Sequence, residues 1–234
     1  MRMQVKNYAI AGGTSGIGKA LADQLLAEGH RVFVCSRKAE GLPSGAEHII
    51  WDALEEQAPN GLPDVLHGAV YTPGSINLRM FRSLKVADFQ HDFAISVLGA
   101  VRFLQAVHPA LKASGQGSAL LFSTVAVGQG MPFHASIAAA KGAVEGLVRT
   151  LAAEWAPSVR VNAIAPSLVE TPMAARLLDT DAKKESSAKR HPLARYGKAE
   201  EIAALAAFLL SDHAGWISGQ VIGADGGLST LRTQ

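Results

Sequence analysis

The 234-residue chain is 48% apolar and 18% charged with a formal net charge of +2. That composition excludes a disordered polyampholyte, and so small a charge excludes the field that nucleic acid or an anionic membrane calls for. A single cysteine, Cys35, excludes an internal disulfide and a cysteine-built metal site, and suits a reducing cytosol.

The N-terminal stretch MRMQVKNYAIAGG carries no apolar run of secretory length, so a cytoplasmic protein is expected. Short apolar runs then follow in order: YAIA (8–11), RVFVCS (31–36), HIIW (48–51), HGAVY (67–71), SALLFS (118–123), VRVNAIA (159–165) and QVIGA (220–224). Between them, residues 16–28, 88–112, 134–155 and 199–211 repeat apolar side chains at steps of three and four. Strand-length runs alternating with helices predict βαβ units and a parallel sheet. The expectation is a single doubly wound α/β Rossmann domain over 1–234, with seven strands and helices on both faces. The most apolar segment, AALAAFLL at 203–210, is far short of a membrane span. Residues 174–191, dense in mixed charge, look least ordered, and about 172–195 is expected to form a short lid over a small-molecule substrate.

The first strand runs into AGGTSGIG, Ala11 to Gly18, and then into a helix. Glycines there let the backbone turn tightly and approach a pyrophosphate, whose charge sits at the helix N-terminus. Gly12, Thr14, Ser15, Gly16, Ile17 and Gly18 are therefore candidate dinucleotide ligands. No acid closes the second strand to accept the ribose hydroxyls of NAD; Ser36, Arg37 and Lys38 stand there instead. A hydroxyl and a guanidinium suit a 2′-phosphate, which favours NADP (NADPH) over NAD. The alternative is that Arg37 and Lys38 are solvated loop charges.

The spacing Gly12-x-x-x-Gly16-x-Gly18 resembles the T-G-x-x-x-G-x-G motif of the short-chain dehydrogenases/reductases, with Ala11 for the threonine. NAIAPSLVETPM (162–173) is similar to that family's N-x-x-x-P-G-x-x-x-T-P segment, with Ser167 for the glycine. RYGKAEEIAALAAFLLSD (195–212) and SGQVIGADGG (218–227) resemble its C-terminal helix and last strand, and Lys141 with GAVEGL resembles its lysine segment. The resemblance implies that Asp52 contacts the adenine amino group, although an Asp there also serves as a cap. It implies that Gly74, in YTPG where the family has N-N-A-G, lines the cofactor. Pro166, Val169 and Thr171 would orient the carboxamide and phosphates, and Lys141 the nicotinamide ribose. It further implies a homodimer or homotetramer through the helices at 88–112 and 134–155.

The family's proton machinery is Asn, Ser, Tyr and Lys. Here the first position is Ser96, the second Thr124 with Ser123 beside it, and the tyrosine position is Ile137, which carries no proton. General acid catalysis is worth about 10²–10⁴-fold. His134 lies seven residues before Lys141, a rotation of about 700° on nearly the same helix face. The enoyl-acyl carrier protein reductases of this family place their tyrosine at that spacing, so HASIAAAK puts His134 there. Against that role, a first helical turn disfavours an imidazolium, and the residue then merely caps or packs. Lys141, Thr124, Ser123 and His134 form the candidate catalytic set, with no metal. Met131, Phe133, Leu168 and Met173 outline an apolar pocket, while Tyr71, His191, Asp225 and Trp216 are expected in packing, lid, turn and core-edge positions. Two functions remain in view. One is an NADP(H)-dependent oxidoreductase for a small carbonyl, alcohol or enone. The other is a nucleotide-binding protein of regulatory or structural role with little or no such activity.

Overall fold

The computed structural model describes residues 4–232; the outermost residues of the expected domain, 1–3 and 233–234, lie outside that range. The elements in chain order are β1 (Asn7–Ala11), α1 (Gly16–Ala27), β2 (Arg31–Ser36), β3 (Glu47–Ile50), β4 (Gly68–Tyr71), α2 (Val86–Phe93), α3 (Gly99–Ala113) and β5 (Gly117–Phe122). They continue with α4 (Val125–Gly128), α5 (Ala135–Trp155), β6 (Val159–Pro166), β7 (Val169–Glu170), α6 (Asp181–Lys189), β8 (Gly197–Lys198), α7 (Ala199–Leu210) and β9 (Val221–Ala224).

Seven strands form one sheet in the order β3-β2-β1-β4-β5-β6-β9. Every pairing in it is parallel. Because alternate residues point to opposite faces, both faces of the central strands must be apolar. Ala9 and Phe33 point into one core with Phe103, Leu111 and Val144 of α3 and α5. Ile10 and Val34 point into the other, with Leu21, Leu25 and Leu209 of α1 and α7. The chain's direction of travel across the sheet reverses between β1 and β4, the kind of crevice where open α/β sheets take ligands.

Three local expectations change. The helix read at 88–112 extends from Val86 to Ala113 and contains a π-helical turn, Ala94–Leu98. The phenol of Tyr71 donates to Ile95 O within that widened turn, and a Cβ on Gly99 would stand 2.3 Å from the Tyr71 oxygen. At this point the helix and the end of β4 meet with no space to spare. Unlike 203–210, this helix is long and apolar enough to span a membrane by length and composition alone, but its Phe103, Val107 and Leu111 are fully buried in the domain core.

Residues 174–191 are ordered: a 3-10 turn covers Pro172–Leu177, and α6 follows. Its mixed charge forms pairs at the four-residue step: Asp179, just before α6, with Lys183 at 2.7 Å, and Glu185 with Lys189 inside the helix at 2.6 Å. Trp216, expected at the core edge, is fully exposed.

Candidate functional site

The candidate catalytic and cofactor-binding residues, with Met131, Leu168 and Met173, line one cleft of about 1230 Å³ at the carboxyl ends of β1, β4, β5 and β6; Phe133, expected in the same pocket, is half exposed outside it, and Ser96 is buried away from it. Gly12 has φ +82°, and a Cβ there would lie 2.3 Å from Thr72 Oγ1. A Cβ on Gly18 would lie 2.4 Å from Gly12 O. Neither position admits a side chain. Ser15 stands at the N-cap of α1 without a side-chain cap bond, so first-turn N–H groups remain for an anion. This cradle fits a pyrophosphate. Thr72, which the sequence did not single out, donates to Ala11 O at 2.7 Å and so ties the loop after β4 to the glycine loop. A threonine after a strand carries no signal until its partner strand is known.

At the far end of the cleft Ser36 Oγ donates to Lys38 O at 2.8 Å and accepts from His48 Nε2 at 2.9 Å, which shapes the turn that carries Arg37. His48 was hidden in an apolar run. Asp52 lines the cleft while its Oδ1 accepts from Leu54 N at 3.0 Å, so it closes a turn as well. Cys35 lies just beneath; burial pushes its thiol up to about 12, which leaves it unreactive.

At the other end Lys141 is 8% exposed, and its Nζ donates to Phe122 O, the last residue of β5, at 2.8 Å. Burial pushes the ammonium down to about 8. A Cβ on Gly74 would be 3.6 Å from that nitrogen, so the loop after β4 passes directly over it. Ile137, one turn earlier on α5, contributes an aliphatic wall.

The hydroxyls here are partly engaged. Ser123 Oγ donates to Glu145 Oε1 at 2.7 Å, and Glu145 in turn pairs with Arg149 at 3.1 Å. Thr124 caps α4 by accepting from Ala126 N at 3.4 Å, and Thr171 Oγ1 accepts from Ala174 N at 3.4 Å. Val169 is buried in β7, which pairs with β8, and Pro166 closes β6. His134 stands at the N-cap of α5 but makes no capping bond. Its Nδ1 is 2.7 Å from Pro132 O, a carbonyl that only accepts, so Nδ1 carries the hydrogen. Ser96 is buried in the π turn, and its hydroxyl has no partner among the described residues. Asp92, on the preceding turn, accepts from Ser75 at 2.5 Å through Oδ1.

A glycine cradle at the reversal point of a parallel seven-stranded sheet defines a dinucleotide-binding α/β protein. Residues 50–229 match the family described as Enoyl-(Acyl carrier protein) reductase, and residues 6–57 match short chain dehydrogenase. A tropinone reductase homologue of Arabidopsis thaliana is 34% identical, over 97% of this chain and 94% of its own. A 3-oxoacyl-(acyl carrier protein) reductase of Thermotoga maritima is 31% identical, over 97% of this chain and 99% of its own. Among solved structures, a short-chain type dehydrogenase/reductase from Mycobacterium ulcerans superposes with a TM-score of 0.86 at 27% identity, covering 99% of this chain and 92% of that one. The chain belongs to the short-chain dehydrogenase/reductase family.

Proposed function

We propose that the protein is an NADP(H)-dependent oxidoreductase for a small carbonyl, alcohol or enone, working without the family's tyrosine. The observation that carries this reading is Lys141, a buried ammonium beside the end of β5 that donates to the Phe122 carbonyl and has no carboxylate partner among the described residues. A cation buried at such cost needs further acceptors, and the hydroxyls of a nicotinamide ribose supply them. Relatives whose names are those of carbonyl reductases support a carbonyl substrate.

When bound, the reduced nicotinamide supplies the hydride. Arg37 holds the 2′-phosphate at the end of β2, Gly12 to Gly18 hold the pyrophosphate, and Val169 and Thr171 orient the carboxamide end. Thr124 polarises the substrate oxygen, and His134 borders the substrate at the mouth of the cleft. Ile137 gives nothing to the reaction but shape, so the proton comes from elsewhere. A second reading, nucleotide binding without turnover, is favoured by Ser123, whose hydroxyl is spent on Glu145. NADPH consumption over a panel of aldehydes, ketones and enones separates the two: substrate-dependent oxidation supports the first, and tight NADPH binding with no oxidation supports the second.

A further inference from the structure

Beside the cleft, Ser167 and His191 make a pair that none of the roles above uses. Ser167 directly follows β6, where Phe122 of β5 stands in register with Ile164. Thr124 lies two residues past Phe122, beyond the end of β5 at the N-cap of α4, and Ser167 lies three past Ile164, just beyond the end of β6. Both line the cleft.

His191, at the end of α6, is 4% exposed and held at both nitrogens: Nε2 is 2.9 Å from Ser167 Oγ, and Nδ1 is 2.7 Å from Ser187 O. The Ser187 carbonyl only accepts, so Nδ1 carries hydrogen in either charge state. When the imidazole is neutral, Ser167 must donate to Nε2. When it is protonated, Nε2–H donates to Ser167 Oγ, and the serine's own hydrogen is released toward the cleft. Neither state breaks a bond. This is a hydroxyl backed by an oriented imidazole, the arrangement proton transfer needs.

We infer that Ser167, relayed by His191, gives the substrate oxygen the proton that residue 137 cannot. The inference rests on the oxidoreductase reading. As hydride from the reduced nicotinamide bonds to the carbonyl carbon, the C=O π pair moves to oxygen, which takes the proton of Ser167. Ser167 Oγ takes the Nε2 proton of His191, and the neutral imidazole recovers one from solvent. In the reverse direction the neutral pair removes the alcohol proton. Ser167 is then the catalytic residue and His191 the positioning and relay residue.

Two charged groups lie near His191. Asp225, on the turn after β9, is the carboxylate in its field, and Gly226 packs on the ring with a Cβ position 3.5 Å from His191 Cβ. From the C-cap of α6 comes Arg190, whose guanidinium donates to Ser187 Oγ at 3.4 Å. His134 differs in kind: its one bond goes to a carbonyl two residues away, on a loop where Phe133 has φ +70°.

The test uses the full chain with NADPH and a panel headed by cyclohexanone, 2-cyclohexenone and benzaldehyde, comparing wild type with Ser167→Ala, Ser167→Gly, His191→Gln and the Ser167→Ala/His191→Gln double variant. Expected is a kcat lowered about 100-fold or more in each, with the double variant no slower than the slower single one. NADPH affinity and melting temperature should stay as in wild type in at least one Ser167 variant. Wild-type kcat for reduction should fall as pH rises, and the His191→Gln profile should lose that limb. In the ligand-free protein, long-range proton–nitrogen NMR should find neutral His191 as the Nδ1–H tautomer. An Nε2–H tautomer, or turnover that persists in the Ser167 and His191 variants, overturns the relay alone. Failure of the wild type to oxidise NADPH with any substrate overturns the oxidoreductase reading, and this inference with it.

Discussion

The two ends of the cleft are built on different principles. At the pyrophosphate end the backbone makes the site, and the space is closed to change: a methyl on Gly18 would lie 2.4 Å from Gly12 O, and one on Gly12 2.3 Å from Thr72 Oγ1. At the nicotinamide end side chains make the site. Ile137 occupies its position with 7% exposure and the helix continues through it undisturbed. The difference teaches that a side-chain change is closed off at the pyrophosphate end and accommodated at the other, and the proposed chemistry would rest on the second.

The sharpest way to break that contrast is Gly18→Ala. The new methyl must push the Gly12 peptide aside, at a cost of about 1–3 kcal/mol in stability, and NADPH affinity should fall about 100-fold; a titration and a melting curve together check it. An alanine tolerated there without loss would mean that the backbone is not the binding element.

Lys141→Met is next. It removes a buried ammonium whose one partner among the described residues is the Phe122 carbonyl, so NADPH binding should weaken about tenfold or more, as for a lost charged hydrogen bond, while stability holds or rises. The pH dependence has a definite sign. The folded state holds the proton of Lys141 less tightly than the unfolded chain does, about 8 against an ordinary 10.5. Wild-type stability should therefore rise relative to Lys141→Met as pH climbs from about 8 to 10.5. Chemical denaturation at several pH values reads this directly.

Arg37→Ala sharpens the cofactor side. Loss of a charge-assisted pair with the 2′-phosphate is worth about 1.5–3 kcal/mol, or roughly ten- to a hundredfold, on NADPH and not on NADH. Calorimetry with both nucleotides checks it, and equal wild-type affinities would remove the NADP assignment. Assembly is expected to be at least dimeric, with α2, α3 and α5 supplying the contact through exposed apolar groups such as Phe93 and Leu98. A monomeric mass by light scattering at micromolar concentration would contradict this. The smallest effect is expected of His134→Ala, within a fewfold on kcat, because its hydrogen is committed to Pro132 O.

Much of the fold was legible because it rests on local pattern. All seven strand runs became strands of the one sheet, and the glycine spacing marked the cradle without knowledge of its partners. What stayed hidden depends on pairs far apart in sequence. The π turn at Ala94–Leu98 differs from the flanking helix by one residue per turn, which apolar periodicity does not resolve. Thr72 acquires its meaning from Ala11, His48 from Ser36, and Glu145 from Ser123. His191 reads as an unremarkable lid residue until Ser167 is found beside it. The charge-dense 174–191 looked unstructured because its ion pairs repeat at the helical step while its apolar residues do not.

The central claim is that this cleft still performs reduction with isoleucine at position 137. Steady-state NADPH oxidation by the wild-type protein over the carbonyl and enone panel, with nucleotide binding measured on the same sample, tests it most directly. The account predicts slow, saturable oxidation that depends on substrate and falls with rising pH. NADPH bound tightly and left unoxidised by every compound would contradict it and leave a protein that binds the nucleotide without reaction.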